Sequence, residues 1–337
     1  TLNGIVTIES GVTVTFDAGS TITANATNGV DAIVVKNGGK LIMNGTANQP
    51  IVLTEPSATP GSWGGIIMYG DAPINGAGAV TSKQSEDGLN LTYGGTNAAH
   101  NGGKLSYVRV EYAGKKITDG TSEMNGFSFY SVGSGTILEN LVSYKGADDG
   151  FEFYGGTVSA TNLISYGNFD DSFDWQDGWR GSNNTNWYAY QTVTGNFGME
   201  IEASNNNNAY YPTISNITLK RALGTVTEGG SSASEYDAIQ FKKQGNGYFS
   251  NILISGYTTA NSTAVRIQDA GTNTDQVNGG KIKLTNVKIN DGISQFAGAG
   301  TVSVAFPTGN YTTSTTTTGA TLTTGAWATV NGVSLIQ

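Results

Sequence analysis

Short runs of alternating apolar and polar residues recur along the chain, separated by glycine and asparagine. Each run has the usual length of a β-strand, and breaks such as Asn37-Gly38-Gly39 and Asn44-Gly45 are typical of tight turns. No long window has the apolar spacing of a helix. The pattern predicts an all-β protein. Its N-terminal part contains strand-like runs at residues 5–9, 12–16, 20–24, 32–36, 40–44 and 50–54.

The chain repeats itself between Asn140 and Trp175. The segment NLVSYKGADDGFEF begins at Asn140 and NLISYGNFDDSFDW begins at Asn162, so the two align without a gap at an offset of 22 residues. A repeat of this length, built from short β runs, is typical of one coil of a parallel β-helix. Short strands alone would equally suit a sandwich, and the repeat favours the solenoid. We therefore expect a single parallel β-helix domain over residues 1–337.

A long polar stretch interrupts the strand pattern. Residues 71–103 are rich in glycine and contain the only histidine, His100. Insertions in a solenoid form loops on one face, so we expect a long loop excursion near 71–103. Such a loop is often functional, and it either borders a site or acts as a stabilising flap. The Thr/Gly-rich residues 307–325 are expected to form a loose loop.

An asparagine recurs at a comparable point in many coils, followed by an apolar residue. Asparagine hydrogen-bonds the backbone at turns and tolerates unusual φ, and stacked asparagine side chains can bond one another along the solenoid axis. We expect a structural asparagine ladder formed by Asn140, Asn162, Asn216, Asn251 and Asn286.

The acidic residues of the repeat lie at a turn and on the strand that follows it. In DGFEF and DSFDW, aromatic residues alternate with Glu152 and Asp174. Successive side chains of a strand point to opposite faces, so burial of the aromatic residues places Glu152 and Asp174 side by side on the outside. The preceding turns add Asp148 and Asp149 in one coil, and Asp170 and Asp171 in the next.

Six carboxylates in two adjacent coils require compensation. Two ionised carboxylates about 5 Å apart repel by roughly 3 kcal/mol at an effective dielectric constant of about 20. Either some hold protons, or a cation neutralises them. Calcium takes oxygen ligands from flexible loops, whereas a chain without cysteine suits zinc poorly. The predicted calcium ligands are Asp148, Asp149, Glu152, Asp170, Asp171 and Asp174; hydrated turn formers and catalytic carboxylates are the alternatives.

Several aromatic residues that follow the acidic coils are candidates for an exposed sugar platform, because aromatic faces suit the apolar side of a sugar ring. The alternative is that they anchor coils or loops from inside. The predicted carbohydrate-binding residues are Trp179, Trp187 and Tyr188, with Tyr190, Tyr210 and Tyr211 as further candidates.

Charge and composition narrow the range of partners. The net charge of −9 and the lack of a basic stripe exclude a nucleic-acid partner, and no apolar run approaches the roughly 18 residues of a transmembrane span. The chain has no cysteine, which rules out disulfides and thiolate metal sites. Few charges with much threonine, asparagine and glycine favour an extracellular β-protein.

Four motifs resemble those of a group of secreted or surface-anchored Bacteroidetes proteins: SWGGIIMYGDAPIN (62–75), GKLSYVRVEYAG (103–114), GADDGFEFYGGTV (146–158) and FDDSFDW (169–175). The resemblance covers most of residues 1–290. It implies a right-handed parallel β-helix, a pectate-lyase-like solenoid, and a secreted or outer-membrane surface-anchored location. The group has no assigned activity.

A narrower set of motifs resembles polygalacturonase-type glycoside hydrolases. The segment from Ala147 to Glu152 is similar to their Asn-Thr-Asp motif, and Asp170-Asp171 is similar to their Asp-Asp motif one coil later. This resemblance implies acid and base roles for Asp149, Asp170 and Asp171. The chain departs from the pattern afterwards, because Asn196-Phe197 stands where the family has histidine, and Gln268 stands where it has lysine.

We expect a non-enzymatic scaffold, extracellular or on the cell surface, that binds calcium at its acidic turns and contacts glycan or a partner protein. The first alternative is an enzyme, a hydrolase or lyase acting on acidic polysaccharide. A lyase would need a basic residue near calcium, for which Lys145 and Arg180 are the sequence candidates. The second alternative is a subunit that assembles end to end, because uncapped solenoids expose strand edges.

Overall fold

Two long parallel sheets make up most of the molecule. The computed structural model describes residues 1–25, 27, 29–118, 122–228, 235–259 and 261–337. The first sheet contains β1 (Ile5–Ile8), β4 (Ala32–Val35), β7 (Ile66–Tyr69), β13 (Phe127–Tyr130), β15 (Phe151–Tyr154), β17 (Phe173–Gln176), β19 (Met199–Ile201), β21 (Ile239–Phe241), β23 (Val265–Ile267) and β25 (Ala297–Gly298).

The second sheet contains twelve strands. They are β2 (Thr13–Phe16), β3 (Thr21–Thr23), β5 (Lys40–Asn44), β6 (Ile51–Thr54), β10 (Gly103–Glu111), β14 (Ile137–Tyr144), β16 (Ala160–Tyr166), β18 (Asn184–Gln191), β20 (Thr213–Arg221), β22 (Gly247–Ser255), β24 (Ile282–Ile289) and β26 (Tyr311–Thr313).

The remaining strands and helical turns lie outside these two sheets. Three antiparallel pairs are β8 (Lys83–Gln84) with β9 (Thr92–Tyr93), β11 (Lys116–Thr118) with β12 (Ser122–Glu123), and β27 (Thr329–Val330) with β28 (Val333–Ser334). Helical structure in the described ranges is limited to α1 (Ala270–Thr272), a π-helical turn (Asn273–Val277) and 3₁₀ turns at Ala77–Ala79 and Ala326–Ala328.

The chain alternates between the two sheets, and each strand pairs in parallel with the equivalent strand of the next coil. Phe151 pairs with Phe173 and Leu141 with Leu163, so the register follows the 22-residue repeat. The prediction of a right-handed parallel β-helix is confirmed. One continuous apolar core extends from Leu2 to Val287 between the sheets.

Aromatic side chains stack inside the central coils. The ring centroids of Phe127 and Phe151 lie 4.9 Å apart, and those of Phe151 and Phe173 lie 5.7 Å apart. All three rings are fully buried. Burial of one such side chain contributes about 1.5–3 kcal/mol, so this stack holds the acidic coils in register.

The strands of the second sheet bend at asparagines. Asn140, Asn162, Asn216, Asn251 and Asn286 all have φ between 55° and 59°, a left-handed conformation that asparagine tolerates better than most residues. Nδ2 of Asn162 donates to Oδ1 of Asn140 at 2.9 Å, and Asn251 and Asn286 each donate to the previous asparagine at 3.0 Å.

The asparagine ladder contains one member that the sequence prediction did not include. It also contains one step at which an asparagine does not bond the previous asparagine. Asn186 has the same φ and donates to Oδ1 of Asn162 at 3.0 Å. Asn216 donates instead to Oγ1 of Thr185 at 3.1 Å. The asparagine side chains therefore form hydrogen-bonded groups along the axis that are joined through Thr185.

The excursion near 71–103 lies against the outside of the first sheet. Its hairpin, β8–β9, brings Tyr93 within 5.0 Å of the Tyr130 ring centroid. Oη of Tyr93 donates to Asp177 at 2.5 Å, and Lys83 pairs with Asp177 at 3.1 Å. His100 is buried in this segment. The excursion is thus fixed to the coils beside the acidic repeat.

The C-terminal segment differs from the loose loop that was expected. β26 continues the second sheet, and the chain then returns over that sheet's outer face, where N–H groups of Ala320 and Thr321 donate to Thr218 and Asn186. Nη1 of Arg109 donates to the carbonyl of Ala326 at 2.9 Å. The physical reason is an apolar outer patch that contains Val142, Ile164 and Tyr188. The segment packs Trp327 and Leu335 against it.

Candidate metal centre in an acidic cavity

The acidic residues of both repeat coils line one cavity of about 790 Å³ on the outer side of the first sheet. The cavity walls come from the strands of that sheet, the turns before them, and the excursion. Its carboxylates are Glu86, Glu123, Asp148, Asp149, Glu152, Asp170, Asp171, Asp174, Glu200, Glu202, Glu228 and Glu235.

A column of outward side chains forms the floor. In-register pairing places Glu152 beside Asp174, and Asp174 beside Glu200. Ser128 precedes the column and Gln240 follows it. The aromatic neighbours of these residues are in the core, as the alternation predicted. The sequence repeat therefore produces a row of carboxylates at the spacing of adjacent strands, about 4.8 Å.

The turn aspartates are held by the backbone of the following coil. Oδ1 of Asp149 accepts from the N–H of Asp171 at 2.8 Å, and Oδ1 of Asp171 accepts from the N–H of Phe197 at 2.6 Å. Asp170 accepts from Nδ2 of Asn196. These bonds fix the direction of each carboxylate before any ligand binds.

Among the carboxylates that line the cavity, two buried oxygens have no hydrogen-bond partner in the described residues. They are Oδ2 of Asp148, a residue that is 2% exposed, and Oδ1 of Asp174, which is 9% exposed. A buried polar atom without a partner costs roughly 1–3 kcal/mol. Both residues line the cavity. These oxygens are therefore free to accept from a ligand there.

Four overlapping groups of three carboxylates bring their oxygens within 4.8 Å of one another. Calcium–oxygen distances of about 2.3–2.6 Å place ligands on opposite sides of one ion about 5 Å apart, so each group has the size of a partial calcium shell. The groups are Glu123–Asp148–Asp170, Asp149–Glu152–Asp174, Asp149–Asp170–Asp171 and Asp171–Asp174–Glu200.

Burial and mutual repulsion alter the titration of these groups. Burial, followed by repulsion from Glu86, raises the pKa of Glu152 to about 8. Burial likewise raises the pKa of Asp170 to about 7. Burial, then repulsion between neighbouring carboxylates, raises the pKa well above the ordinary range of a carboxyl for Asp148, Asp149, Asp171 and Asp174. Uncompensated negative charge is unfavourable here, and a divalent cation would relieve it.

The lysines that line the cavity are Lys242 and Lys243. The sequence candidates for a basic residue there were Lys145 and Arg180. Lys242 pairs with Glu200, and Lys243 pairs with Glu202 at 2.6 Å. The guanidinium of Arg180 instead stacks on the Tyr210 ring at 3.4 Å, and neither Arg180 nor Lys145 is among the residues that line the cavity. Two lysines offset only part of the negative charge.

The predicted ligand set left out several lining residues. The alignment of GMEI with the acidic strands already places Glu200 beside the outward column, and Glu202 lies two residues further on. Glu86 lies at the tip of the excursion hairpin, and Glu228 and Glu235 lie in a loop between β20 and β21. No repeat links these three to the acidic coils, so only tertiary structure brings them together.

The three carboxylates of the hydrolase-like motifs do not have the spacing of an inverting acid–base pair. Oxygens of Asp149, Asp170 and Asp171 lie within 4.8 Å of one another, whereas an inverting acid–base pair stands roughly 6.5–9.5 Å apart. Asn196, at the position of the family's histidine, is hydrogen-bonded to Asp170. Arg266, two residues before the Gln268 that replaces the family's lysine, pairs with Asp237 at 2.9 Å.

The predicted sugar platform of Trp179, Trp187 and Tyr188 is wrong, because all three are buried. The Nε1 atoms of both tryptophans donate to backbone carbonyls at 3.0 Å, and both rings belong to the core. Tyr188 points outward from β18, but the C-terminal segment covers it, and its hydroxyl bonds the carbonyl of Gln337 at 3.0 Å. Tyr210 and Tyr211 are exposed.

The parallel solenoid is the fold of the pectate-lyase-like β-helix proteins. The family model described as "Pectate-lyase like beta helix domain" matches residues 1–331, and the chain belongs to that family. No curated protein matches the sequence. In the ranges that the structure describes, no helix has the length and apolarity needed to cross a membrane.

Proposed function

We propose that this protein is an extracellular or cell-surface scaffold whose acidic cavity binds calcium and whose outer surface contacts glycan or a partner protein. The observation that supports the calcium site is the pair of buried, unpartnered oxygens on Asp148 and Asp174. Each belongs to a group of carboxylates with the dimensions of a partial calcium shell.

The chemistry of the donor set favours calcium over other common metals. All the candidate ligands are oxygens, which suits a hard cation. Magnesium is smaller and requires near-octahedral geometry while keeping several waters. A wide cavity with many carboxylates on neighbouring turns fits the larger, more flexible shell of calcium.

The proposed location and partner class rest on family membership and on the motif resemblance. Membership of the β-helix family is consistent with a surface or polysaccharide-related protein. The motif resemblance to secreted or surface-anchored Bacteroidetes proteins points the same way. A scaffold role is favoured over catalysis because the carboxylate spacing does not suit inverting hydrolysis and the family's histidine and lysine are replaced.

Calorimetric titration of chelator-treated protein with calcium tests this function. We expect Asp174→Asn to weaken calcium binding by at least about tenfold, equivalent to about 1.4 kcal/mol, because it neutralises an oxygen donor shared by two groups. Glu9→Gln is the matched control, because Glu9 is exposed and paired with Lys36. The calcium site would be refuted if the wild type showed no heat of calcium binding. It would also be refuted if Asp174→Asn and Glu9→Gln showed equal heats of binding.

A further inference from the structure

A second cavity of about 530 Å³ lies on the outer face of the second sheet. It crosses β18, β20, β22 and β24 on the N-terminal side of the asparagine bend in each strand. The acidic cavity lies on the other sheet. The register aligns four hydroxyl side chains across these strands, one per coil: Thr185, Ser215, Ser250 and Thr285. We call this cavity the hydroxyl groove.

A second column beside the hydroxyls carries an aromatic ring and a cation. Thr213 pairs with Tyr248, and Tyr248 pairs with Lys283. The ammonium of Lys283 lies 4.3 Å from the centroid of the Tyr248 ring, and the Tyr211 ring lies 4.2 Å from the same centroid. Contact with an aromatic face attracts a cation, so the Tyr248 ring holds the Lys283 ammonium at the groove.

The charge of the hydroxyl groove is opposite to that of the acidic cavity. Its described lining contains Lys283 and no carboxylate, although the chain carries a net charge of −9. Lys281, two residues before Lys283, contacts the carbonyl of Asn208 at 3.3 Å. The groove thus presents a positive charge and no described carboxylate on an acidic protein.

We propose that the hydroxyl groove binds an acidic oligosaccharide, with its sugar hydroxyls on the Ser/Thr column and a carboxylate or sulfate on Lys283. Small hydroxyl side chains suit sugars, which present many donors and acceptors. Protein interfaces centre instead on buried aromatic and apolar anchors, and the side chains of the two columns are mostly polar. This proposal specifies the glycan contact of the proposed function and is independent of its calcium site.

Binding of a uronate oligosaccharide and of its methyl ester, measured in the presence of chelator, tests the proposal. The two probes share a backbone and differ in charge. We expect the wild type to bind the acid form at least about tenfold more tightly than the ester, because the ester cannot form a charge-assisted hydrogen bond with Lys283. Lys283→Ala should abolish this preference, and Ser250→Ala should weaken binding of both probes.

Lys288→Ala is the matched control, because Lys288 lies on the same strand beyond the bend at Asn286; it should bind like the wild type. Asp174→Asn should also bind like the wild type, which separates this proposal from the calcium site. The melting temperature of each variant checks its folding. No binding of the acid form by the wild type, equal affinity for acid and ester, or equal losses in the Lys283 and Lys288 variants would each overturn the proposal.

Discussion

Asp149 and Asp171 show how single residues of this fold combine structural and ligand-binding capacity. Each carboxylate accepts a backbone N–H from the next coil with Oδ1. The same residues belong to carboxylate groups of the size that calcium requires. An aspartate at this turn therefore orders the coil while remaining available to a cation. The turn-former and metal-ligand interpretations of the sequence are compatible with one another.

The raised pKa values predict how stability depends on pH when calcium is absent. Glu152 has a pKa of about 8 in the folded protein against an ordinary value of 4.5, and Asp170 has about 7 against 3.8. At pH values between the ordinary and the raised pKa of each group, the folded state binds more protons than the unfolded state. The contribution of these groups to stability is therefore greatest at low pH and is lost as pH rises. The melting temperature in chelator should fall from about pH 5 to about pH 8.

Glu152→Gln should reduce this fall, because glutamine does not titrate and its Oε1 can still accept from Nδ2 of Asn125 and Oη of Tyr154. Glu9→Gln, at an exposed position, should leave the slope unchanged. Differential scanning fluorimetry across a buffer series measures both. A melting temperature in chelator that is constant or rises over this range would show that burial does not raise these pKa values.

At the scale of the element, the asparagine bend decides where each strand of the second sheet changes direction. Asn162 has φ of 57°, donates to Asn140 and accepts from Asn186. Asn162→Ala loses both side-chain bonds and places alanine in a left-handed conformation that costs roughly 1–2 kcal/mol. With about 1 kcal/mol for each of the two lost hydrogen bonds, we expect a loss of about 3–4 kcal/mol in the free energy of unfolding.

Asn162→Gly separates the two contributions, because glycine adopts positive φ without strain but cannot form the ladder. Chemical denaturation should rank the proteins as wild type, then glycine, then alanine. If alanine is as stable as glycine, the backbone conformation is not the reason for asparagine at this position.

The elements differ in how well the sequence predicted them. The DGFEF and DSFDW strands were predictable with their facing, because a gapless repeat determines the register and the alternation determines the side. The burial of Trp187 and Tyr188 was not predictable from the sequence. The inward direction of Trp187 depends on where its strand begins, and the burial of Tyr188 depends on a segment more than a hundred residues away. Glu86 reaches the cavity only through the folding of the excursion, for which no local pattern exists.

At the scale of the whole molecule, the solenoid separates two sites of opposite charge. The first sheet carries the acidic cavity, bordered by the excursion, and the second sheet carries the hydroxyl groove and the returning C-terminal segment. A cation in the acidic cavity would connect successive coils, because one carboxylate group combines Asp149 and Glu152 of one coil with Asp174 of the next. Calcium would then stabilise the molecule by RT ln(1 + [L]/Kd), about 2.7 kcal/mol at a hundredfold excess over Kd.

The most direct measurement is a crystal structure of the protein grown with calcium, with anomalous scattering used to identify the ion. We predict an anomalous peak in the acidic cavity within about 2.3–2.6 Å of carboxylate oxygens, with Oδ1 of Asp174 or Oδ2 of Asp148 among them. Well-ordered water at hydrogen-bonding distance from both oxygens, with no anomalous peak in the cavity at saturating calcium, would contradict the assignment of this site to calcium.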